Sequence, residues 1–264
     1  MNLSVVNLSR NNLIGIVELY VFSNLVRLQQ LDLSYNSLSV SSRKYNISKT
    51  LPDLYSVRLS FCKIKDFPYL LSAMVNLESL DLSHNQIYGQ LPNWTVFMWK
   101  DSLSYLNISH NFLTSLYPPH PWVNDLQVLD LRSNLLQGPL LSSVCDLSSL
   151  IVLDVPKNSF TCAIPHCLGN FSNQISVLDL RMNNFKGIIL TTFAQGNGLR
   201  NLNLNGNQLR KKLPRSLGNR THLEVIDLDL GKLPRSFQNI INIPKLTIEN
   251  KFFLNTDCDE ICVF

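Results

Sequence analysis

This chain is short of charge. Charged residues fill 16% of its 264 positions, against about 25% in typical soluble domains. No run of lysines or arginines forms a nucleic-acid or membrane patch, and the net charge of +4 is mild. No stretch approaches the ~18 consecutive apolar residues of a membrane span. The opening Met1-Asn2-Leu3-Ser4-Val5-Val6 has neither the basic start nor the apolar run of a secretory leader. Six cysteines include no CxxC pair, and Cys162, His166 and Cys167 lack the fourth ligand of a structural zinc site. There is no GxSxG elbow, no Walker loop and no spacing of the five histidines to a nucleophile. The sequence therefore predicts no catalytic residue, no metal, no cofactor and no nucleic-acid partner.

What the chain has instead is a repeat. Leu-x-Leu-x-x-Asn recurs every 23 to 26 residues, with its last position at Asn11, Asn36, Asn85, Asn111, Asn134, Asn158, Asn183 and Asn207, and Cys62 in the one vacancy. A period in this range signals a solenoid, in which each unit touches only its neighbours. In Leu31-Asp32-Leu33 a period of two puts both leucines on one face and the aspartate on the other. Leu80/Leu82, Leu106/Ile108, Leu129/Leu131, Leu153/Val155, Leu178/Leu180 and Leu202/Leu204 repeat the arrangement. The pattern predicts short parallel strands stacked at about 4.8 Å into one continuous sheet. Each buried leucine contributes about 1.5–3 kcal/mol, which an isolated repeat could not collect. At the turn after each strand the asparagine amide offers donors and acceptors together, and a column of them forms a hydrogen-bonded spine. Cys62 bonds weakly, so its repeat is expected to be a soft point with the thiol a small buried core group.

Several repeats continue past the asparagine into Gly-x-Leu/Ile-Pro, as in Asn85-Gln86-Ile87-Tyr88-Gly89-Gln90-Leu91-Pro92. Proline is excluded from the middle of a sheet, so this half of the repeat lies away from the main strands. The extended unit LxxLxLxxNxLxGxIP resembles the plant-specific class of extracellular leucine-rich repeats over roughly residues 1–230. Leu59-Ser60-Phe61-Cys62-Lys63-Ile64-Lys65-Asp66-Phe67-Pro68, Ile164-Pro165-His166-Cys167-Leu168-Gly169-Asn170 and Leu178-Asp179-Leu180-Arg181-Met182-Asn183-Asn184-Phe185 are similar to segments of plant receptor-like proteins. The resemblance implies a right-handed α/β solenoid with its parallel sheet on the concave face. It implies recognition of a peptide, protein or glycan ligand there, and signalling in defence or development through a partner leucine-rich-repeat receptor kinase. It also implies a plasma-membrane parent with an extracellular ectodomain. The alternatives are a secreted inhibitor of microbial cell-wall-degrading enzymes, similar to polygalacturonase inhibitors, and a non-functional truncated product.

The chain departs from that family at its ends. Val6-x-Leu8-x-x-Asn11 already obeys the repeat, which reads as a start within an array. The expectation is a partial or rearranged receptor-like protein, read without the leader, caps, membrane span and tail of that family. Ile226-Asp227-Leu228 begins a degenerate tenth repeat, but Gly231 stands where asparagine is due. The expected organisation is an array over 1–230, with about nine full repeats, and a non-repeat tail over 231–264.

Candidate site residues lie on the sheet's open side. Tyr35, Tyr55, Phe61, His84, Tyr105 and His110 predict an aromatic and imidazole surface, and Arg132, Lys157 and Arg181 a basic patch. Both carry residue types that anchor interfaces. The column Asp32, Asp81, Asp130, Asp154, Asp179 and Asp227 reads as scaffold. His84 and His110 share a column but read as surface rather than metal ligands. Of seven Asn-x-Ser/Thr sequons, those at Asn46, Asn93, Asn170 and Asn219 fall between strands, where a glycan fits. Asn2 begins another, while Asn7 and Asn107 project from the strands. Cys145 and Cys167, in neighbouring repeats, can form a disulfide; Cys162 competes, and sequence does not fix the connectivity.

Overall fold

The computed structural model describes residues 2–41, 52–116, 125–169, 174–189, 198–210, 223–229 and 245–249. These fall into two compact units, residues 1–136 and 137–264.

In the first unit the ladder strands are Val5–Asn7, Gln30–Asp32, Ser56–Arg58, Ser79–Asp81, Tyr105–Asn107 and Val128–Asp130. Each pairs in parallel with the next, in a register that aligns Val6, Leu31, Val57, Leu80, Leu106 and Leu129. From Leu31 onward these central residues are buried, as are Leu33, Leu59, Leu82, Ile108 and Leu131 two positions on. The alternation read from sequence is therefore the core itself. In the second unit Val152–Asp154, Val177–Asp179, Asn201–Asn203 and Val225–Asp229 repeat the arrangement, with Leu153, Leu178, Leu202 and Ile226 in register.

The expected tail contains one strand more. Lys245–Glu249 pairs in parallel with Val225–Asp229, setting Leu246 against Ile226 and Ile248 against Leu228. The step from Ile226 to Leu246 is 20 residues, outside the range of the other steps. Leu246-Thr247-Ile248 keeps the period-two alternation without a ladder asparagine, and so escaped a search for the full motif.

Away from the ladder strands the chain forms short second strands in parallel pairs. Ile14–Glu18 pairs with Ser37–Ser41 and Tyr88–Gln90 with Phe112–Ser115 in the first unit. Gln137–Pro139 pairs with Ser159–Thr161 and Lys186–Ile188 with Gln208–Arg210 in the second. The motif glycine sits inside these strands at positive φ, 85° at Gly89 and 78° at Gly138. Nothing lies within 4 Å of where a Cβ would stand at either. Backbone conformation, not crowding, therefore selects glycine. Short helical turns close the repeats: Leu19–Asn24, Tyr69–Ala73 and Trp94–Met98 in the first unit, Ser142–Asp146 and His166–Gly169 in the second. Trp99 is buried behind Trp94–Met98 and donates its indole N–H to the Met74 carbonyl at 3.1 Å. Cys145 and Cys167 are joined in a disulfide, with Cα atoms 5.8 Å apart, tying the two turns of the second unit.

The asparagine ladder works through both ends of each amide. Asn85 Nδ2 donates to the carbonyls of Leu82 and Ser83 in its own turn, and to that of Leu59 in the preceding repeat. Its Oδ1 accepts the backbone N–H groups of Cys62 and Ile64. Asn111, Asn134, Asn183 and Asn207 are likewise buried and likewise accept an N–H from the repeat before. Cys62 takes the same place with Sγ 3.5 Å from the Leu33 carbonyl and 3.6 Å from that of Ser60. Burial, reinforced by the Asp32 carboxylate, pushes this thiol up to about 12. It stays protonated, with one weak donor where an amide has two strong ones. Two variants test the ladder. Asn85→Ala orphans buried groups at about 1–3 kcal/mol each and should lower the urea midpoint sharply, whereas Cys62→Asn should raise stability by about 1 kcal/mol. Equal midpoints for the three proteins would refute this account of the spine.

Candidate functional site

The residue just before each ladder position, asparagine or Cys62, is in the left-handed conformation. In the first unit φ is 55° at Arg10, 57° at Tyr35 and Phe61, 53° at His84, 55° at His110 and 53° at Ser133. In the second it is 55° at Lys157, 54° at Met182 and 72° at Gly206. For non-glycine residues this conformation costs roughly 1–2 kcal/mol each. At the asparagine positions the ladder amide clamps the two carbonyls that precede this residue, as Asn85 does around His84, and Phe61 adopts the same φ before Cys62 without an amide.

The clamp has a consequence for the side chains. In the first unit Tyr35 and Phe61 have ring centroids 4.7 Å apart, Phe61 and His84 stack at 4.3 Å, and His84 and His110 at 4.0 Å. The Arg10 guanidinium lies 5.3 Å from the Tyr35 centroid and closes one end. Four of the six rings expected at a surface therefore form one stacked column along the strand ends. Tyr35 is 47% exposed and Phe61 40%, in positions where a soluble protein ordinarily places polar groups. Tyr55 and Tyr105 stand at the opposite ends of their strands. Tyr55 accepts a hydrogen bond from Gln30 Nε2, and the Tyr105 hydroxyl faces Asn107 Nδ2 at 3.5 Å.

The acidic column is a set of turn braces. Asp32 and Asp81 each accept the backbone N–H of the serine two residues on, at 2.9 Å. Asp130 does the same for Arg132 and Asp179 for Arg181, both at 3.1 Å. Asn7 and Asn107 make the bond in their own repeats, so the amide oxygens of these two sequons are engaged in turns. Ser34, Ser60, Ser83 and Ser109 are buried, and Ser60 and Ser83 hydroxyls lie 2.9 Å apart. The same braces alter the expected basic patch. Arg132 Nε pairs with Asp130 at 3.0 Å in the first unit, and Arg181 Nε with Asp179 at 3.1 Å in the second. Both cations are thus compensated two residues away, which a column of charges read from sequence did not register. Lys157 is exposed in the second unit.

One residue breaks the acidic column. Arg58 holds the register position between Asp32 and Asp81. Every neighbouring repeat has Asp or Asn there, so a search for aspartates passed over it. Among the described residues no group of three or more His, Cys, Asp or Glu side chains could hold a metal ion, and no helix is long and apolar enough to cross a membrane. Of the proposed glycan sites, Asn46, Asn170 and Asn219 lie outside the described residues, and Asn93 is exposed beside the Trp94–Met98 turn.

The electrostatics of His84 in the ring column, and of Tyr105 at the opposite strand end, follow from packing. Desolvation holds the His84 imidazole below the usual histidine range; Arg132 acts in the same direction, and Asp81 and Asp130 oppose it. Desolvation raises the Tyr105 phenol, helped by Asp81 and Asp130 and opposed by Asn107 and Arg58. A histidine depressed in the folded state binds its proton more readily when unfolded. Its contribution is therefore complete above about pH 6.5 and is lost as pH falls below that value. His84→Gln should flatten the pH dependence of the urea midpoint between about pH 5 and 7. An unchanged slope would show that the stacked imidazole does not titrate as this geometry requires.

The family model described as Leucine Rich Repeat matches residues 76–97, 102–123, 125–147 and 198–220. Receptor-like protein 47 of Arabidopsis thaliana is 37% identical over 177 residues, covering 65% of this chain and 21% of that protein. The chain thus spans about a fifth of the length of this relative. Among solved structures, a TDR receptor superposes with a TM-score of 0.79 at 24% identity, over 92% of this chain and 42% of that one. The Arabidopsis receptor kinase HAESA, in complex with the peptide hormone IDA and the co-receptor SERK1, superposes with a TM-score of 0.70 at 26% identity, over 94% of this chain and 38% of that one. With its asparagine spine, parallel ladder and glycine-proline flank, the chain is a leucine-rich-repeat solenoid, and the relatives it resembles are plant receptor-like proteins.

Proposed function

We propose that this chain recognises an extended peptide along the ring column of its first unit. The observation that carries the reading is the column itself: Tyr35 and Phe61 remain exposed while stacked with His84 and His110, each in a left-handed turn. Such side chains are already ordered, so a ligand meets them without a large entropic cost of fixing them. Aromatic residues with few rotatable bonds are the usual anchors of protein interfaces. A peptide is favoured over a globular partner because a ligand lying across the strands would meet one side chain per repeat at regular spacing.

The similarity to receptor-like proteins and to a peptide-bound receptor kinase supports placing this recognition in a plant cell-surface receptor. In that setting signalling in defence or development passes to a partner leucine-rich-repeat receptor kinase, and the parent protein is anchored at the plasma membrane. The recognising surface supplies binding alone, with no catalytic step assigned to it.

Selection from a displayed library of random dodecapeptides tests the reading. The wild-type chain should enrich a consensus containing apolar or aromatic positions. Tyr35→Ser combined with Phe61→Ser should weaken the selected peptides by about tenfold or more, as loss of two interface anchors implies. Tyr88→Ser combined with Phe112→Ser, on the flanking strands, should leave them unchanged. Full retention of affinity by the Tyr35/Phe61 variant, or failure to enrich any consensus, would overturn it.

A further inference from the structure

We propose that Asn93 carries an N-linked glycan whose first sugar lies against an apolar patch of the first unit, an inference that rests on the cell-surface placement above. The sequon Asn93-Trp94-Thr95 opens the turn Trp94–Met98. Asn93 is exposed, with φ −59° and ψ −31°, and among the described residues its side chain makes no capping bond. Its amide therefore stands outside the hydrogen bonding of the turn it precedes. The sequon asparagines Asn7 and Asn107 differ. Their amide oxygens accept the Ser9 and Ser109 backbone N–H groups, and both residues belong to ladder strands, where a glycan would cover the open side of the sheet.

The surface beside Asn93 is apolar. Phe97 and Met98 follow Trp94 by three and four residues and share its side of the turn, while Thr95 and Trp99 share the other side and are buried. Phe97 is 57% exposed, Met98 39%, and Trp94 is half-buried. Tyr69, 49% exposed, joins from the preceding repeat, its ring 6.2 Å from that of Trp94 and edge-on to it. Phe67 and Trp99 pack around Trp94 at 5.6 and 5.2 Å and hold its indole in place. Contiguous exposed apolar groups of this kind mark a surface that something covers. The helical conformation of Asn93 sets it one turn before Phe97, with Cβ atoms about 5–6 Å apart. Helical side chains lean toward the N-terminal end, here toward Asn93. A pyranose joined to Asn93 thus meets the patch with its apolar C–H face and keeps its hydroxyls in water.

The donor for this attachment is a lipid-linked oligosaccharide pyrophosphate. The bond from Asn93 Nδ2 to sugar C1 forms as the bond from C1 to the pyrophosphate oxygen breaks; the lipid pyrophosphate leaves, and one amide proton passes to solvent. The last residue of the sequon sets the timing. Thr95 is 3% exposed and its hydroxyl donates to the Pro92 carbonyl at 2.7 Å. A transferase that reads this hydroxyl must therefore act before the turn closes. The sugar is then already present when Trp94, Tyr69 and Trp99 come together, and it packs as part of that repeat.

The experiment expresses the full chain behind a cleavable secretory leader in plant cells treated with a mannosidase inhibitor. Peptide mapping after N-glycosidase digestion in heavy-oxygen water should show Asn93 converted to labelled aspartate in most molecules. An unmodified Asn93 overturns the proposal and leaves the ring-column reading standing. The seat of the sugar is read by the fluorescence of anilinonaphthalene sulfonate, a dye that binds exposed apolar surface. Asn93→Gln should bind the dye severalfold more than the glycosylated wild type, and complete removal of the glycan should match it. Wild type trimmed by an endoglycosidase to a single sugar should behave as the untrimmed protein. Adding Phe97→Ser to Asn93→Gln should return dye binding toward the wild-type level. Equal dye binding by wild type and Asn93→Gln overturns the contact, as does a one-sugar form that behaves like the sugar-free protein.

Discussion

The rest of the molecule depends on the amides of the asparagine ladder, which are buried at Asn85, Asn111, Asn134, Asn183 and Asn207. An asparagine side chain satisfies carbonyls within its own turn and both accepts from and donates to the repeat before it, so one residue type closes the turn and joins the coils. Burying those backbone groups without it would leave several unsatisfied, at a cost comparable to the entire stability of a small domain. The leucines supply the apolar driving force, but they are interchangeable with valine and isoleucine along the ladder, as Val57, Val155 and Ile226 show. The amide is less replaceable. The thiol of Cys62 occupies the position with a single weak donor and contributes correspondingly less.

Function grows from the same constraint. The turn at each ladder position sets the preceding residue in the left-handed conformation, before Cys62 as before asparagine, and that residue can be chosen freely because its side chain projects beyond the core. In the first unit the choice is Tyr, Phe, His and His, which stack because consecutive turns are held in equivalent conformations. In the second unit the same position carries Lys157, Met182 and Gly206, and no ring column is possible there. Gly206 also fits a local need: a Cβ would come within 3.2 Å of the Met182 backbone nitrogen. A scaffold rule thus fixes the geometry, while the residue before each asparagine sets the chemistry.

Much of this was legible in the sequence because it is periodic. Leu31, Leu80 and Leu106 announce the strands by alternation, Asn36, Asn85 and Asn111 announce the turns by spacing, and Gly89 and Pro92 announce the flank that leaves the main sheet. What escaped depends on contacts between repeats or within two residues. The stack of Phe61 on His84 follows from a left-handed φ that no composition reveals. The neutral pairs Asp130–Arg132 and Asp179–Arg181 follow from side chains turning back along one strand, so counting cations overstated the basic surface. Arg58 was invisible to a search for aspartates because it interrupts their column. The strand Lys245–Glu249 was overlooked because its step is short and its asparagine absent.

Native-state hydrogen exchange at the amides that donate to the ladder tests the central claim most directly. The relevant groups are the N–H of Ile64, Ile87, Leu113, Phe160 and Phe185, which bond Oδ1 of Asn85, Asn111, Asn134, Asn183 and Asn207 respectively. They should exchange as slowly as strand amides such as that of Leu82, which bonds the Asn107 carbonyl, opening only with the whole array. Exchange as fast as in exposed turns would contradict the asparagine spine as the structure's organising bond.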